Sequence, residues 1–137
     1  MLLADAVDAV NGKLYVLGAG WDMTSPPSPM AIALLIQVPW DQANHKHEWK
    51  LELVDSDGSP VEIPTPVGDQ PFVLRGAFEV GRPPGIVPGA WLAVPVAINL
   101  GPVPLAAAKR YEWRLSINDE TDAHWRLAFG TRSASDA

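Results

Sequence analysis

Prolines and glycines interrupt this sequence so often that they constrain its fold more than any other feature. The chain of 137 residues contains 14 Pro and 11 Gly, which separate short apolar runs at intervals of about ten residues. Short runs bounded by turn-forming residues are typical of all-β proteins. The pattern predicts a single-domain antiparallel β-sandwich, immunoglobulin-like in general character, with about eight or nine strands. We expect the sandwich to span residues 1–131 and a flexible C-terminal tail to span 132–137.

Alternating apolar and polar residues indicate which side chains face the core. In "HEWKLELVD" (47–55), the odd-numbered residues from Trp49 to Leu53 are apolar and the residues between them are charged. The segments "QPFVLRGAFEV" (70–80), "RYEWRLSIN" (110–118) and "AHWRLAFGT" (123–131) alternate in the same way. Each is therefore predicted to be a strand with one face in the core.

Local residue chemistry predicts several turns and one edge. Asn11-Gly12 lies between two apolar runs and is typical of a two-residue hairpin turn. Pro95 interrupts "AWLAVPVAINL" (90–100) and cannot donate a ladder hydrogen bond, which indicates an edge strand or a bulge. Residues 104–110, which are rich in alanine, form the one segment where a short helix is expected.

The segment Gly18-Ala19-Gly20 follows an apolar run and resembles the start of a dinucleotide-binding loop. Such a loop needs a third glycine three residues later and then a helix. Met23 stands at that position, and prolines at 26, 27 and 29 prevent a helix. The glycines therefore predict a bend at the end of a strand, with Trp21 packing back over it.

Charge and cysteine content exclude several classes of partner. The net charge is −6, whereas nucleic-acid binding needs clustered Lys and Arg. No apolar run reaches the ~18 residues that crossing a bilayer needs. The chain has no cysteine, and its N-terminus lacks the pattern of a signal peptide. We expect a cytoplasmic protein that binds neither nucleic acid nor membranes.

Two histidines are candidates for a metal site. His45 and His47 are two residues apart, so on one strand both would point the same way, which is a spacing that metal ligands use. The alternative is a pair of solvated histidines at the start of a strand. His124 could be a third ligand only if the fold brings it near, so we expect no cofactor, and a metal-dependent enzyme using His45 and His47 stays an alternative.

Three tryptophans are candidates for ligand binding. Trp21, Trp40 and Trp91 lie at predicted strand ends or in loops. A tryptophan there can cap the core or stack on a ligand. If they stack, the chain would be a small-ligand or carbohydrate-binding β-sandwich.

Three stretches carry a resemblance to a known family: "GKLYVLGAGW", "PWDQANHKHEWKLELVDSDG" and "VPGAWLAVPVAINL". They resemble a family of small uncharacterised bacterial proteins, seen largely in actinobacteria, which share a GKL-x-VLGAGW and PWD…H…LELVD-x-DG pattern. The resemblance implies a bacterial protein of one domain. It implies no activity, so no catalytic residue can be transferred.

These observations favour a non-enzymatic protein-binding or assembly module. The run "MAIALLIQV" (30–38) is apolar on both faces, so its outer face must be covered by loops 20–29 and 81–89 or by a second subunit. Residues 1–70 carry ten acidic and three basic residues, and residues 71–137 carry six acidic and seven basic residues. Because these halves are complementary in charge, we expect a homodimer and allow for a different protein partner.

Overall fold

The computed structural model describes residues 1–133 and confirms the all-β prediction. In this part of the chain the only helical element is a single 3₁₀ turn, Trp40–Gln42. Residues 134–137 of the predicted tail lie outside the described residues. The strands are β1 (Leu2–Ala4), β2 (Ala6–Val10), β3 (Lys13–Leu17), β4 (Met23–Thr24), β5 (Ser28–Val38), β6 (His47–Asp55), β7 (Glu62–Thr65), β8 (Gly68–Pro71), β9 (Val73–Phe78), β10 (Leu92–Val103), β11 (Arg110–Ile117) and β12 (Glu120–Thr131).

Two sheets contain most of these strands. One is three-stranded, with the order β1-β5-β10, and the other is five-stranded, with the order β4-β12-β11-β6-β9. Two hairpins, β2-β3 and β7-β8, complete the fold. All neighbouring strands in these sheets and hairpins pair antiparallel, except that the short β4 pairs parallel with the end of β12.

One hydrophobic core joins the two main sheets. The three-stranded sheet contributes Leu3, Ile32 and Leu34, and the five-stranded sheet contributes Leu51, Trp113 and Phe129. Trp49, Leu51 and Leu53 of β6 and the odd-numbered residues of β11 face this core, as their alternation predicts. The all-β fold is therefore established, with twelve strands in residues 1–133 where eight or nine were predicted, while the finer assignment to an immunoglobulin-like sandwich stays a prediction.

The β2-β3 hairpin covers part of the outer face of β5. It turns at Asn11 and Gly12, whose φ angles of 51° and 74° are those of the predicted tight turn. Val7 packs there in a second buried cluster with Ala4, Ala31 and Ala33. We expected loops 20–29 and 81–89 or a second subunit to cover the outer face of β5. For this part of β5 that expectation is wrong, because the β2-β3 hairpin covers it.

The glycine segment after β3 forms the predicted bend. Gly18 and Gly20 have φ angles of 63° and 89°, a region that glycine adopts without steric cost. The Gly20 N–H donates to the Leu3 carbonyl at 2.8 Å, which ties the bend to β1. Trp21 then packs edge-on against Phe129, with 6.3 Å between ring centroids.

Residues 104–110 form no helix, so that prediction is wrong. Ala108 has a φ of 55°, which is incompatible with a right-handed helix. The Ala106 N–H donates to the Tyr111 hydroxyl at 3.1 Å, and the Thr131 hydroxyl donates to the Ala106 carbonyl at 2.7 Å. Because these hydrogen bonds satisfy the backbone of the segment, tertiary contacts override the helix propensity of alanine.

Candidate functional site

A cavity of about 650 Å³ opens at one end of the molecule, between the two main sheets. We call it the mouth cavity. Its apolar wall is formed by side chains of β5, β11 and β12 together with the residue before β10: Leu34, Ile36, Leu115, Ile117, Trp125 and Trp91. Its polar lining includes Gln42, His47, Asn118, Glu120 and His124. Its size falls within the roughly 300–1,000 Å³ of small-ligand sites.

A bulge of several extra residues in β12 brings two residues to this cavity. Arg114 pairs with Arg126 and Ser116 pairs with Thr121, so residues 122–125 lie opposite Leu115 alone. The Asp122 carboxylate accepts the His124 N–H at 2.8 Å inside the bulge. Bulges of this kind redirect side chains, and here His124 and Trp125 line the cavity. The regular alternation of residues 123–131 does not predict the bulge.

His47 lies at the base of the cavity and is held on three sides. It is 6% exposed, and its ring stacks on Phe78 with 5.2 Å between centroids. Nε2 lies 2.9 Å from the Gln42 carbonyl oxygen, and Nδ1 lies 2.9 Å from the Asn118 Nδ2. The expectation of a solvated histidine is therefore wrong for His47.

These contacts fix which nitrogen of His47 carries the proton. The Glu48 N–H, which can only donate, bonds to the Asn118 Oδ1 at 2.9 Å. The Asn118 amide must then direct its NH₂ group at His47, so the Nδ1 of His47 accepts a hydrogen bond. The remaining nitrogen, Nε2, therefore carries the hydrogen and donates to the Gln42 carbonyl.

The tautomer of His47 can be measured directly. In long-range ¹H–¹⁵N NMR spectra at pH 8, we expect the pattern of the Nε2–H tautomer for His47. The variant Asn118→Ala removes the donor to Nδ1, so we expect the nitrogen shifts of His47 to change while those of the exposed His45 stay constant. An Nδ1–H pattern in the parent protein would contradict the assignment.

The geometry gives the metal hypothesis no support. His45 is exposed and precedes β6, whereas His47 is the first residue of β6, so the two histidines do not share a strand. Both ring nitrogens of His47 are within hydrogen-bond distance of other residues. Within residues 1–133, no group of three or more His, Asp or Glu is placed to hold a metal ion.

The three candidate tryptophans lie in different environments. Trp21 packs against the core, and the Trp40 ring lies 4.3 Å from the guanidinium of Arg82. Trp91 lines the mouth cavity and is 62% exposed. Trp125 packs against the core and also lines this cavity. The mouth cavity is therefore lined by Trp91 and Trp125 and not by Trp21 or Trp40.

The charge of the mouth cavity limits what it can hold. No Lys or Arg from the described residues lines it, and Glu120 is its one carboxylate there. An anionic ligand would therefore find no Lys or Arg side chain with which to pair. Amide, imidazole and carboxylate groups can instead hydrogen bond to a neutral polar ligand.

These features define a small all-β protein with one core between two sheets and a cavity open at one end. The chain belongs to DUF6941, a family of unknown function whose sequence model matches residues 1–129. The comparison with curated proteins found no match. The family agrees with the resemblance to proteins without an assigned activity, while the bacterial source and the cytoplasmic location stay predictions. Within residues 1–133 no helix is long and apolar enough to cross a membrane.

Proposed function

We propose that this protein is a non-enzymatic binding module with an immunoglobulin-like sandwich as its scaffold. Its site is the mouth cavity, and its ligand is uncharged with an apolar face, as a neutral carbohydrate is. The observation that carries this proposal is the exposure of Trp91 at a cavity that Trp125 also lines.

The chemistry of the cavity supports a carbohydrate. An indole ring can pack against the C–H face of a sugar, as it packs against other apolar surfaces. The hydroxyl groups of the sugar would exchange hydrogen bonds with Gln42, Glu120 and His124, which line the same cavity. Because no Lys or Arg side chain of the described residues lines the cavity, phosphorylated and sulfated sugars are poorer candidates.

Removing the Trp91 ring tests the proposal. We expect Trp91→Ala to weaken binding of the ligand about tenfold, because loss of an aromatic contact of about 1.4 kcal/mol corresponds to that factor. The probes are neutral oligosaccharides of defined composition, titrated by calorimetry, with heparin as the anionic comparison. The matched control is Leu17→Ala, which removes an exposed apolar side chain from the β2-β3 hairpin, outside the cavity.

Two results would contradict the proposal. If no neutral oligosaccharide gives a binding heat at millimolar concentration, the carbohydrate assignment fails. If an oligosaccharide binds the parent and Trp91→Ala equally well, the ligand class stands and the mouth cavity is not its site.

Assembly with another protein chain is the second candidate function. A separate observation favours it, namely the exposed backbone edge of β10, which lies at the end of the three-stranded sheet.

A further inference from the structure

Strand β10 is an edge strand, as Pro95 in its sequence predicts. It pairs with β5 from Leu92 to Val103, and no other described strand pairs with it. In residues 1–133, no backbone hydrogen bond reaches the side of Leu92–Leu100 that faces away from β5. A row of N–H and C=O groups is therefore free to pair with another strand.

β10 also lacks most of the features that protect edge strands. Protein edges are usually short, or carry charged side chains that prevent pairing. β10 has 12 residues, none of them charged. At the outer edge of the other main sheet, β9 has 6 residues and carries Arg75. Pro95 and the register shift after Leu100 are the two protective features that β10 does have.

The core-facing side chains of β10 are incompletely buried. Val94, Val96 and Ile98 pair with Ile36, Leu34 and Ile32 of β5. The three β5 side chains are buried, whereas their three neighbours on β10 are only half-buried. The core therefore ends in an open row of aliphatic side chains along this edge.

We infer that a second copy of this chain pairs with β10 through the same strand. Two antiparallel copies of one strand are related by a two-fold axis, which is the commonest symmetry of oligomers. The two three-stranded sheets would join into one continuous sheet. In a register that keeps the core faces aligned, Val94, Val96 and Ile98 lie beside the same residues of the other copy. This completes their burial without placing like charges side by side.

The dependence on salt distinguishes this β10 interface from one formed between the acidic and the basic half of the sequence. An acidic surface against a basic one loses affinity as salt is added, because salt screens the attraction. The β10 contact is uncharged, and each copy carries a net charge of −6, so screening reduces repulsion between copies. We therefore expect salt to leave the dimer unchanged or to strengthen it.

Sedimentation equilibrium at micromolar concentration tests the inference. The expected mass is twice the 14.8 kDa of one chain. Val96→Lys places a charge in the middle of the edge, where it can reach solvent in a monomer but not in the dimer. Because like charges brought together cost several kcal/mol, we expect dimerisation to weaken at least tenfold. Ala93→Lys puts the same charge on the opposite, exposed face of β10, where it stays in solvent in the dimer, so we expect it to leave the mass unchanged.

The control is Leu17→Lys, which makes the same change of charge on the exposed β2-β3 hairpin. Circular dichroism checks that each variant keeps its β-structure. A dimer that persists in Leu17→Lys and Ala93→Lys and dissociates in Val96→Lys supports the inference. It is overturned by a parent mass of one chain that stays constant over a tenfold rise in concentration. A dimer that survives Val96→Lys, or one that Leu17→Lys or Ala93→Lys dissociates, also overturns it. Neither result bears on ligand binding in the mouth cavity.

Discussion

Replacing Trp113 with alanine is expected to lower the free energy of unfolding by about 3–5 kcal/mol. The side chain is fully buried in the core between the two main sheets. Its ring meets that of Phe72 edge-on, with 5.4 Å between centroids. Removing it leaves a cavity that neighbouring strands cannot fill, because the backbone of both sheets is fixed by hydrogen bonds. Since small domains are stable by only about 5–15 kcal/mol, this one change removes much of the total.

The variant Trp113→Phe separates two contributions to stability, the packing of the aromatic ring and the burial of the indole N–H. Among the described residues, the Trp113 Nε1 has no hydrogen-bond partner, and burying such a donor costs about 1–3 kcal/mol. Trp113→Phe keeps an aromatic ring beside Phe72 and removes that donor. We therefore expect it to lose less than half as much stability as Trp113→Ala. Urea unfolding followed by circular dichroism measures both. An alanine variant within 1 kcal/mol of the parent would show that this packing matters little.

Alanine at Gly76 is expected to lower the free energy of unfolding by about 1–3 kcal/mol through overpacking. Gly76 of β9 lies opposite Trp49 of β6. A Cβ atom at Gly76 would lie 2.4 Å from the Trp49 ring atom Cε2, which is closer than any real contact. The Trp49 ring must therefore move away from β9. Because this ring packs against the core, its movement also disturbs the contacts of neighbouring core side chains.

Gly101→Ala is the matched control for Gly76→Ala. Gly101 is also a strand residue without a positive φ, and a Cβ atom there would meet nothing within 4 Å. Alanine at such a site reduces the freedom of the unfolded chain, so we expect Gly101→Ala to be neutral or slightly stabilising. Thermal and urea unfolding of the two variants give the comparison. Equal stabilities would mean that Trp49 moves aside without cost.

Sequence periodicity predicted the orientation of strand side chains well. Leu51 and Leu53 on β6, and Tyr111 to Leu115 on β11, face the core at every second position. The Asn11-Gly12 turn and the bend at Gly18 and Gly20 were also predictable. These features depend on a few neighbouring residues, because a side-chain period of two and a positive φ are local properties of the chain.

The sequence singled out Trp91 and His47, but it could not predict the cavity that both line, because the parts of that cavity come from distant segments. The mouth cavity combines the residue before β10 with residues of β5, β11 and β12. The bulge that places Trp125 there depends on how β12 pairs with β11, and the burial of His47 depends on Asn118, 71 residues away.

The sequence by itself determined the all-β class and the tight turns, and it limited the strand that contains Pro95 to an edge position or a bulge. Each follows from backbone chemistry within a few residues, such as the missing N–H of Pro95. Only the tertiary structure decided that residues 104–110 form no helix, that the β2-β3 hairpin covers part of the outer face of β5, and that Trp91 and Trp125 line one cavity. The physical reason is that hydrogen bonds and apolar contacts between distant segments outweigh local preferences of about 1 kcal/mol or less per residue.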